Sequence, residues 1–280
     1  IFVMQTGAYE LFKLICYDQK RIKLTKISSR KDFIKSFKIF KKFGIYGQPN
    51  FKTNLICFFS SKNLVVFDIN EKSTHIKSPF HNVKAIPVSS NMSESKWAQK
   101  FVSGLTNQSD TRSQNLFDGL YKDHSKSIDG EITISMHLGC HPLATHKRWH
   151  VDSYVRLIQQ ISNEKKIKIK VLGTEDDKDI TDIFISKLDL IAQNLVAKTS
   201  LYETGREIWD SNFFISGDSG MMHFAAKIGI PQIGIFNNQT GLKKNIPILS
   251  HPKSRFLLPE NANLHEVVFP GFDIVKKKYI

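Results

Sequence analysis

The chain has 280 residues, of which 41% are hydrophobic and 24% charged. This length and composition fit one large globular domain or two ordinary ones. The longest apolar runs, residues 55–59 and 64–67, are far shorter than the roughly 20 residues that a membrane-spanning helix needs. Glu10 and Lys13 interrupt the apolar stretch at the N terminus, so that stretch does not have the pattern of a signal peptide.

The net charge is +14, from 40 basic and 26 acidic residues. A charge of this size predicts a partner of opposite sign: nucleic acid, an anionic membrane face or a phosphorylated sugar. A solvated, lysine-rich surface is the alternative. No stacking-aromatic or recognition-helix motif accompanies the charge, so nucleic acid is the least favoured partner. Three widely spaced cysteines, Cys16, Cys57 and Cys140, form no CxxC motif and fit a reducing cytosol.

The N-terminal half has a mixed pattern. Strands are predicted at residues 1–4, 55–59 and 63–68, helices at 30–43 and 97–105, and polar loops at 89–95 and 107–113. Residues 118–130 have the composition of a linker. We therefore expect an N-terminal lobe over residues 1–128, in the form of a reduced Rossmann-like unit.

The C-terminal half alternates strands with helices of about ten residues. Strands are predicted at 132–137, 167–172, 213–215 and 232–236, and helices at 152–162, 179–188, 200–210 and 220–228. Ser200 and Glu203 have the spacing of a capping box at the start of the third helix. This alternation predicts right-handed βαβ units and a parallel, doubly wound sheet over residues 129–270. Residues 271–280 are expected to cross back to the N-terminal lobe.

The turn after the strand at 213–215 has the layout of an anion site. Residues 217–220 break the strand, and a helical pattern then runs until Gly229 and Pro231 stop it. The first turn of a helix carries unpaired N–H groups and a partial positive charge, which favour a phosphate. The alternative is an ordinary turn in which Asp218 or Ser219 caps the helix.

Two other segments are expected at the same edge of the sheet. They follow His137 and Leu172, and the carboxyl ends of parallel strands are where ligands bind in such sheets. Histidines at positions 137, 141, 146 and 150 raise the alternative of a zinc site. Pro142 and the lack of a Cys or carboxylate pair argue against tetrahedral ligation there.

Three segments carry a resemblance to a known family. Asp218-Ser-Gly-Met-Met-His223, followed by Ala225, Ala226, Gly229 and Pro231, resembles the signature of glycosyltransferase family nine, the bacterial ADP-heptose:lipopolysaccharide heptosyltransferases. The segment from His137 to Trp149 resembles the family's strand, loop and Lys-x-Trp motif, and Val171 to Glu175 resembles the strand end that meets the nucleoside. The resemblance covers about residues 130 to 240. It implies an α/β protein of GT-B architecture, with two Rossmann-like lobes, a cleft between them and a reduced N-terminal lobe.

The resemblance also implies an activity: inverting, metal-independent transfer of heptose from ADP-heptose onto the lipopolysaccharide inner core. The implied partners are a nucleotide sugar and an anionic lipid-linked glycan, with no cofactor, metal or nucleic acid. The implied location is the bacterial cytoplasm, with peripheral association at the inner membrane. Two alternatives stay open: an enzyme of this fold that uses another nucleotide sugar, as a transferase or an epimerase, and an inactive relative that binds anionic glycans.

The resemblance also assigns the donor site. The expected residues are Thr145, Lys147, Glu175, Asp218, Ser219, Gly220, Met221, Met222 and His223. The amides of residues 220–222 and the Ser219 hydroxyl would receive the diphosphate, and Lys147 would neutralise it, which makes Lys147 a catalytic residue as well. His223 would face the diphosphate, and Glu175 would touch the ribose.

The general base is the part of the family pattern that this sequence meets least well. The family has an Asp after Gly in its first βα loop, whereas residues 1–12 lack that pair, and Glu10 is the candidate base. Without a carboxylate there, the protein would be weakly active or inactive. Asn237 and Asn238 stand where the family usually has Gly-Pro, and His150 where Pro often follows the Trp. These departures leave the sugar of the donor more open than its nucleotide diphosphate.

Overall fold

The computed structural model divides into two compact units, residues 1–112 and 113–280. It describes residues 131–247 and 251–258 in full, the backbone of five N-terminal strands, and Ile86, Ser89, Met92, Lys96, Gln99, Lys100 and Ser103. The predicted boundary at residue 128 and the predicted crossing of residues 271–280 stay predictions, because residues 104–130 and 259–280 lie outside the described part.

The described strands of the first unit are all parallel. β1 (Phe2–Gln5) pairs with β2 (Leu24–Ile27), and β3 (Gly44–Ile45), β4 (Asn63–Ile69) and β5 (Asn82–Val88) form a second sheet in that order. The strands predicted at 1–4 and 63–68 are thus confirmed. Lys96, Gln99, Lys100 and Ser103 are helical, in agreement with the helix predicted at 97–105. The helix predicted at 30–43 and the strand predicted at 55–59 lie outside the described residues.

The second unit contains a six-stranded sheet. Its strands are β6 (Ile132–His137), β7 (Ile167–Val171), β8 (Ala192–Asn194), β9 (Phe213–Gly217), β10 (Gln232–Ile235) and β11 (Arg255–Leu257). Its helices are α1 (Val151–Glu164), α2 (Lys178–Ser186), α3 (Leu201–Trp209), α4 (Gly220–Ile228) and α5 (Gln239–Asn245).

The sheet is parallel throughout, with the strand order β11-β10-β9-β6-β7-β8. Within this sheet, the chain passes first through β6, then through β7 and β8 on one side of it, and then through β9, β10 and β11 on the other side. This reversal is the topological switch point of a doubly wound sheet, where the loops beyond adjacent strand ends diverge and leave a crevice. The predicted parallel sheet is confirmed.

The core of this unit follows from residue alternation along the strands. Ile132, Ile134 and Met136 of β6 join one apolar cluster with α1 and α2, whereas Thr133 and Ser135 point to the opposite face. A second cluster contains Met222 of α4 together with Phe236 and Leu258. Both faces of the sheet are therefore covered, as expected for parallel strands.

Local signals set most element boundaries correctly. Ser200 and Glu203 form the predicted capping box, with the Ser200 amide donating to the Glu203 carboxylate at 2.7 Å and the Glu203 amide donating to Ser200 Oγ at 3.3 Å. α4 ends at Gly229, whose φ of 91° lies in the left-handed region that glycine tolerates. β8, β11 and α5 were not predicted, because three- and seven-residue elements show too little periodicity. Within the described residues, no helix has the length and apolar character needed to cross a membrane.

Candidate active site

The loops that follow β6, β7 and β9 leave the sheet at one edge. The register places His137 of β6 opposite Ser216 of β9, and Met136 opposite Val171 of β7. The three strands therefore end at nearly the same level. Their loops contain the segments from which the sequence predicted a ligand site.

Lys147 lies beside the turn that begins α4. Its ammonium nitrogen is 2.9 Å from Asp218 Oδ2, with 31% of the Lys147 side chain exposed and 7% of the Asp218 side chain. Asn245 Nδ2 lies 3.2 and 2.9 Å from the two oxygens of the same carboxylate. Asp218 thus does not act as the helix cap considered above. It holds the lysine at the edge of the sheet.

The loop that carries Lys147 is held on both sides of that residue. Asn237 Nδ2 donates to the carbonyl oxygens of His146, at 3.1 Å, and Arg148, at 2.5 Å. Trp149 is buried and meets the Tyr154 ring edge-on, with centroids 4.8 Å apart. Burial raises the pKa of Tyr154, so its hydroxyl stays protonated. The backbone around Lys147 is thus held by the segment that follows β10 and by α1.

The N terminus of α4 is open. Ser219 is the N-cap residue and has extended backbone angles, but its side chain makes no hydrogen bond to the helix. The Met222 amide already donates to the Ser219 carbonyl at 3.2 Å. Gly220 is exposed, and apart from its two neighbours in sequence and the helix backbone, no described atom lies within 4 Å of the position its Cβ would take. The amides of Gly220 and Met221 are therefore the ones that a ligand can approach.

His137 links this turn to the loop after β7. Its Nδ1 lies 3.1 Å from Ser219 Oγ, and its Nε2 lies 3.3 Å from Asp177 Oδ2. The Thr174 amide and hydroxyl also donate to Asp177 Oδ2, at 2.8 and 3.1 Å. Burial raises the pKa of Asp177, but the hydrogen bond and charge of His137 and the donations from Thr174 outweigh it and hold that pKa below its usual value.

Two glycines make room for the Asp177 carboxylate. A Cβ on Gly139 would lie 1.6 Å from Asp177 Oδ1, and one on Gly173 would lie 2.7 Å from Oδ2. Both distances are shorter than any van der Waals contact. The loops after β6 and β7 can therefore close around this carboxylate only if both positions lack a side chain.

The other residues predicted from the sequence are less enclosed. Thr145 is exposed, and its carbonyl accepts from the Arg148 amide at 2.9 Å. Glu175 lies in the loop after β7 with 73% of its side chain exposed and pairs with Lys178 at 2.6 Å. The Met222 side chain is fully buried in the core, and His223 is half-buried on α4. Glu10 lies outside the described residues.

Sequence reasoning missed four residues that shape this site. It noted His137 only as part of a segment and of the histidine spacing, and it did not single out Asp177 or Asn245. It noted Asn237 only as a departure from the family pattern. The Thr174-x-x-Asp177 spacing is a capping signal that could have drawn attention to Asp177. Asn237 contacts a residue 89 positions away in sequence and Asn245 one 27 positions away, and no local sequence pattern predicts such contacts. Among the described residues, no group of three or more His, Cys, Asp or Glu side chains is placed to hold a metal ion.

The strand order and the site together define an α/β protein of Rossmann-like topology, with a lysine and an open helix terminus at the switch point. The family model described as "Glycosyltransferase family 9 (heptosyltransferase)" matches residues 104–267. The chain belongs to glycosyltransferase family 9. No curated protein matches the sequence.

Solved structures of this family have the same fold. The ADP-heptose lipopolysaccharide heptosyltransferase II of E. coli superposes with a TM-score of 0.60 at 12% identity, over 96% of this chain and 85% of its own. The family 9 glycosyl transferase of Veillonella parvula DSM 2008 superposes with a TM-score of 0.65 at 13% sequence identity, over 93% of this chain and 77% of its own. The E. coli heptosyltransferase WaaC with ADP superposes with a TM-score of 0.60 at 12% sequence identity, over 91% of this chain and 92% of its own.

These comparisons confirm the predicted family, the α/β GT-B fold and the class of enzyme, a glycosyltransferase of the heptosyltransferase-like family. The placement of the two lobes, the cleft between them and the roles of individual residues stay predictions.

Proposed function

We propose that this protein is an inverting, metal-independent glycosyltransferase that transfers heptose from ADP-heptose to the lipopolysaccharide inner core. The observation that carries the proposal is the position of the Lys147 ammonium, 2.9 Å from Oδ2 of Asp218, the residue before the N-cap Ser219 of α4. A cation and free amides at one place suit a departing diphosphate. The E. coli relative WaaC, solved with ADP, supports an adenine nucleotide.

Charge balance explains why Asp218 is compatible with such a site. An unpaired carboxylate beside α4 would repel a diphosphate. Lys147 and Asn245 neutralise and hydrogen-bond that carboxylate, so the net field at the helix tip stays favourable for an anion. When a donor binds, the ammonium lies between the carboxylate and the phosphate oxygens and attracts both.

The reaction needs one bond made and one broken at the anomeric carbon of the sugar. The acceptor hydroxyl oxygen attacks the anomeric carbon while the bond between that carbon and the phosphate oxygen breaks. The configuration at the anomeric carbon inverts. The electron pair leaves on the diphosphate, where Lys147 and the amides of Gly220 and Met221 stabilise the new charge. The remaining proposed donor contacts are Thr145, Ser219, His223 and, at the ribose, Glu175. Met222 is left out of this set, because its amide donates to the Ser219 carbonyl and its side chain is buried.

The acceptor hydroxyl also has to lose its proton, and Glu10 is the proposed base. Replacement of Glu10 by Gln should abolish turnover and leave donor affinity unchanged, because the amide is isosteric but cannot accept the proton. Isotope-labelled sugar transfer and nucleotide titration measure the two quantities separately. Full turnover in Glu10→Gln would exclude this residue as the base.

The donor is tested with a panel of ADP, UDP, GDP and CMP sugars in thermal-shift and transfer assays, with and without a metal chelator. Selective stabilisation by an ADP sugar, with transfer that survives chelation, is expected. A preference for another nucleotide would contradict the donor assignment. Loss of transfer in chelator would contradict metal independence. Binding to the glycan without any turnover would instead favour the inactive relative.

A further inference from the structure

His137, Asp177 and Ser219 form a continuous chain of polar contacts at the switch point. They come from the end of β6, the loop after β7 and the turn before α4. The strand order places β6 between β7 and β9, so the imidazole reaches both neighbouring loops. His137 and Asp177 are buried, with 5% and 3% of their surfaces exposed, whereas Ser219 is half-buried at the site.

The hydrogen-bond donors and acceptors available fix the direction of the contact between His137 and Asp177. The ionised Asp177 carboxylate can only accept, and it already accepts from the Thr174 amide and hydroxyl. The contact from His137 Nε2 must therefore be an N–H donation. The contact between His137 Nδ1 and Ser219 Oγ is possible in both states of the imidazole, because Nδ1 accepts from the hydroxyl when the ring is neutral and donates to it when the ring is protonated.

This arrangement decides what Ser219 does at the helix terminus. Serine is favoured at an N-cap because its oxygen accepts from the second or third amide of the helix, here Met221 or Met222. Ser219 has the N-cap position and extended backbone but makes no such bond, and its hydroxyl lies against His137 instead. A Ser219 side chain in the capping rotamer would occupy the space that the proposed site offers to a phosphate oxygen.

We propose that His137, oriented by Asp177, is a positioning residue that draws the Ser219 hydroxyl away from α4 and so keeps the first-turn amides available for the donor diphosphate. The proposal rests on the proposed function for the identity of the ligand. The contact itself does not depend on that identity. His137 touches no substrate in this role and acts only through Ser219.

Two replacements of His137 separate its two contacts. Asn places a polar atom near the position of Nδ1 and can still meet Ser219, whereas Gln reaches the position of Nε2 and can meet only Asp177. We expect His137→Gln to weaken ADP binding about 10-fold and His137→Asn to retain it to within about 3-fold. In a Ser219→Ala background, His137→Gln should cost little further affinity, because no hydroxyl remains to cap the helix.

A ligand-free measurement tests the same contact. Amide hydrogen exchange at Met221 should slow in His137→Gln, where Ser219 is free to cap, and should not slow in the double variant. Ser219→Ala alone should leave protection unchanged, since its hydroxyl does not cap in the parent protein. Loss of protection in Ser219→Ala would overturn the proposal even if the His137 variants failed to fold.

An equal loss of ADP affinity from His137→Gln in both backgrounds would also overturn the proposal, because His137 would then not act through Ser219. A parent protein that binds no ADP compound would instead overturn the proposed function. In that case the exchange measurements would still decide whether His137 holds Ser219.

Discussion

Asp218 decides where the Lys147 ammonium lies before any donor arrives. A lysine has a flexible four-carbon stem, and fixing it costs conformational entropy. The contact with Asp218 and the two backbone contacts from Asn237 hold both its head and its loop in place. The ammonium is thus held beside the turn that leads into α4.

Replacement of Lys147 by Ala should weaken ADP-sugar binding about 10- to 100-fold, since a hydrogen bond between charged groups contributes about 1.5–3 kcal/mol. The variant also leaves Asp218 without its cation beside the phosphates. Calorimetric titration with an ADP sugar measures the change. Lys166→Ala is the matched control, because Lys166 is exposed and pairs with Glu131 where β7 begins, at the opposite edge of the sheet. Equal affinity in the two variants would remove Lys147 from the site.

Asp177 predicts a pH dependence of stability. The pKa of Asp177 lies below its usual 3.8 in the folded protein. The ionised carboxylate therefore contributes its full stabilisation at pH values above 3.8, and this stabilisation is lost as the pH falls through the lower pKa of the folded state. Asp177→Asn should therefore lower the free energy of unfolding by about 1–3 kcal/mol near neutral pH. The difference from the parent protein should shrink below about pH 4. Urea denaturation at a series of pH values measures it, and a difference that did not change with pH would contradict the assignment.

Among the secondary-structure elements, α4 combines the proposed anion site with part of the core. Its first residue, Gly220, is exposed, whereas Met222, Phe224, Ala225 and Ala226 are buried. The packing of these residues fixes the direction of the helix axis, and the axis aims the first-turn amides. A short helix of nine residues can serve this purpose because tertiary contacts, rather than its own propensity, stabilise it.

Substitutions at Gly220 should separate stability from binding. Gly220→Ala has open space around it and should raise stability by up to about 1 kcal/mol, since alanine favours helix. Gly220→Trp should also fold but should lower ADP-sugar affinity about 10-fold, because the indole covers the free amides. Melting curves and titrations measure the two effects. Ile191→Trp is the control for side-chain bulk, because Ile191 lies before β8 and is 94% exposed. Unchanged ADP-sugar affinity in Gly220→Trp would place the diphosphate elsewhere.

For the whole molecule, the net charge of +14 favours the peripheral membrane association that the family resemblance implies. Each basic residue near such a surface contributes about 1 kcal/mol, and salt screens the attraction. The protein should sediment with vesicles containing anionic lipid at low salt and be released at high salt. Neutral vesicles are the control. Binding that is the same for both vesicle types, or absent from both, would contradict a charge-driven association.

The sequence by itself determined the features that depend on neighbouring residues. The alternation of apolar runs with helical periodicity predicted the parallel sheet. β6, α3 and α4 begin within one residue of their predicted starts. The signals are local: apolar patterning for β6, a capping box for α3 and a glycine at the terminus for α4. The motif at Asp218 to His223 and the lysine of the Lys-x-Trp segment indicated the family, which the comparisons show.

Only the tertiary structure decided which side chains meet. Asp218 was predicted as a donor-binding residue, or alternatively a helix cap, and its carboxylate pairs with Lys147. Ser219 was predicted to donate its hydroxyl to the diphosphate, or alternatively to cap α4, and that hydroxyl contacts a histidine 82 residues away. The Asn237 and Asp177 contacts likewise join segments that are distant in sequence. Such contacts depend on which strands are adjacent and where each one ends. That information lies in the order of the sheet, which places β9 beside β6, and not in the pattern of any single segment.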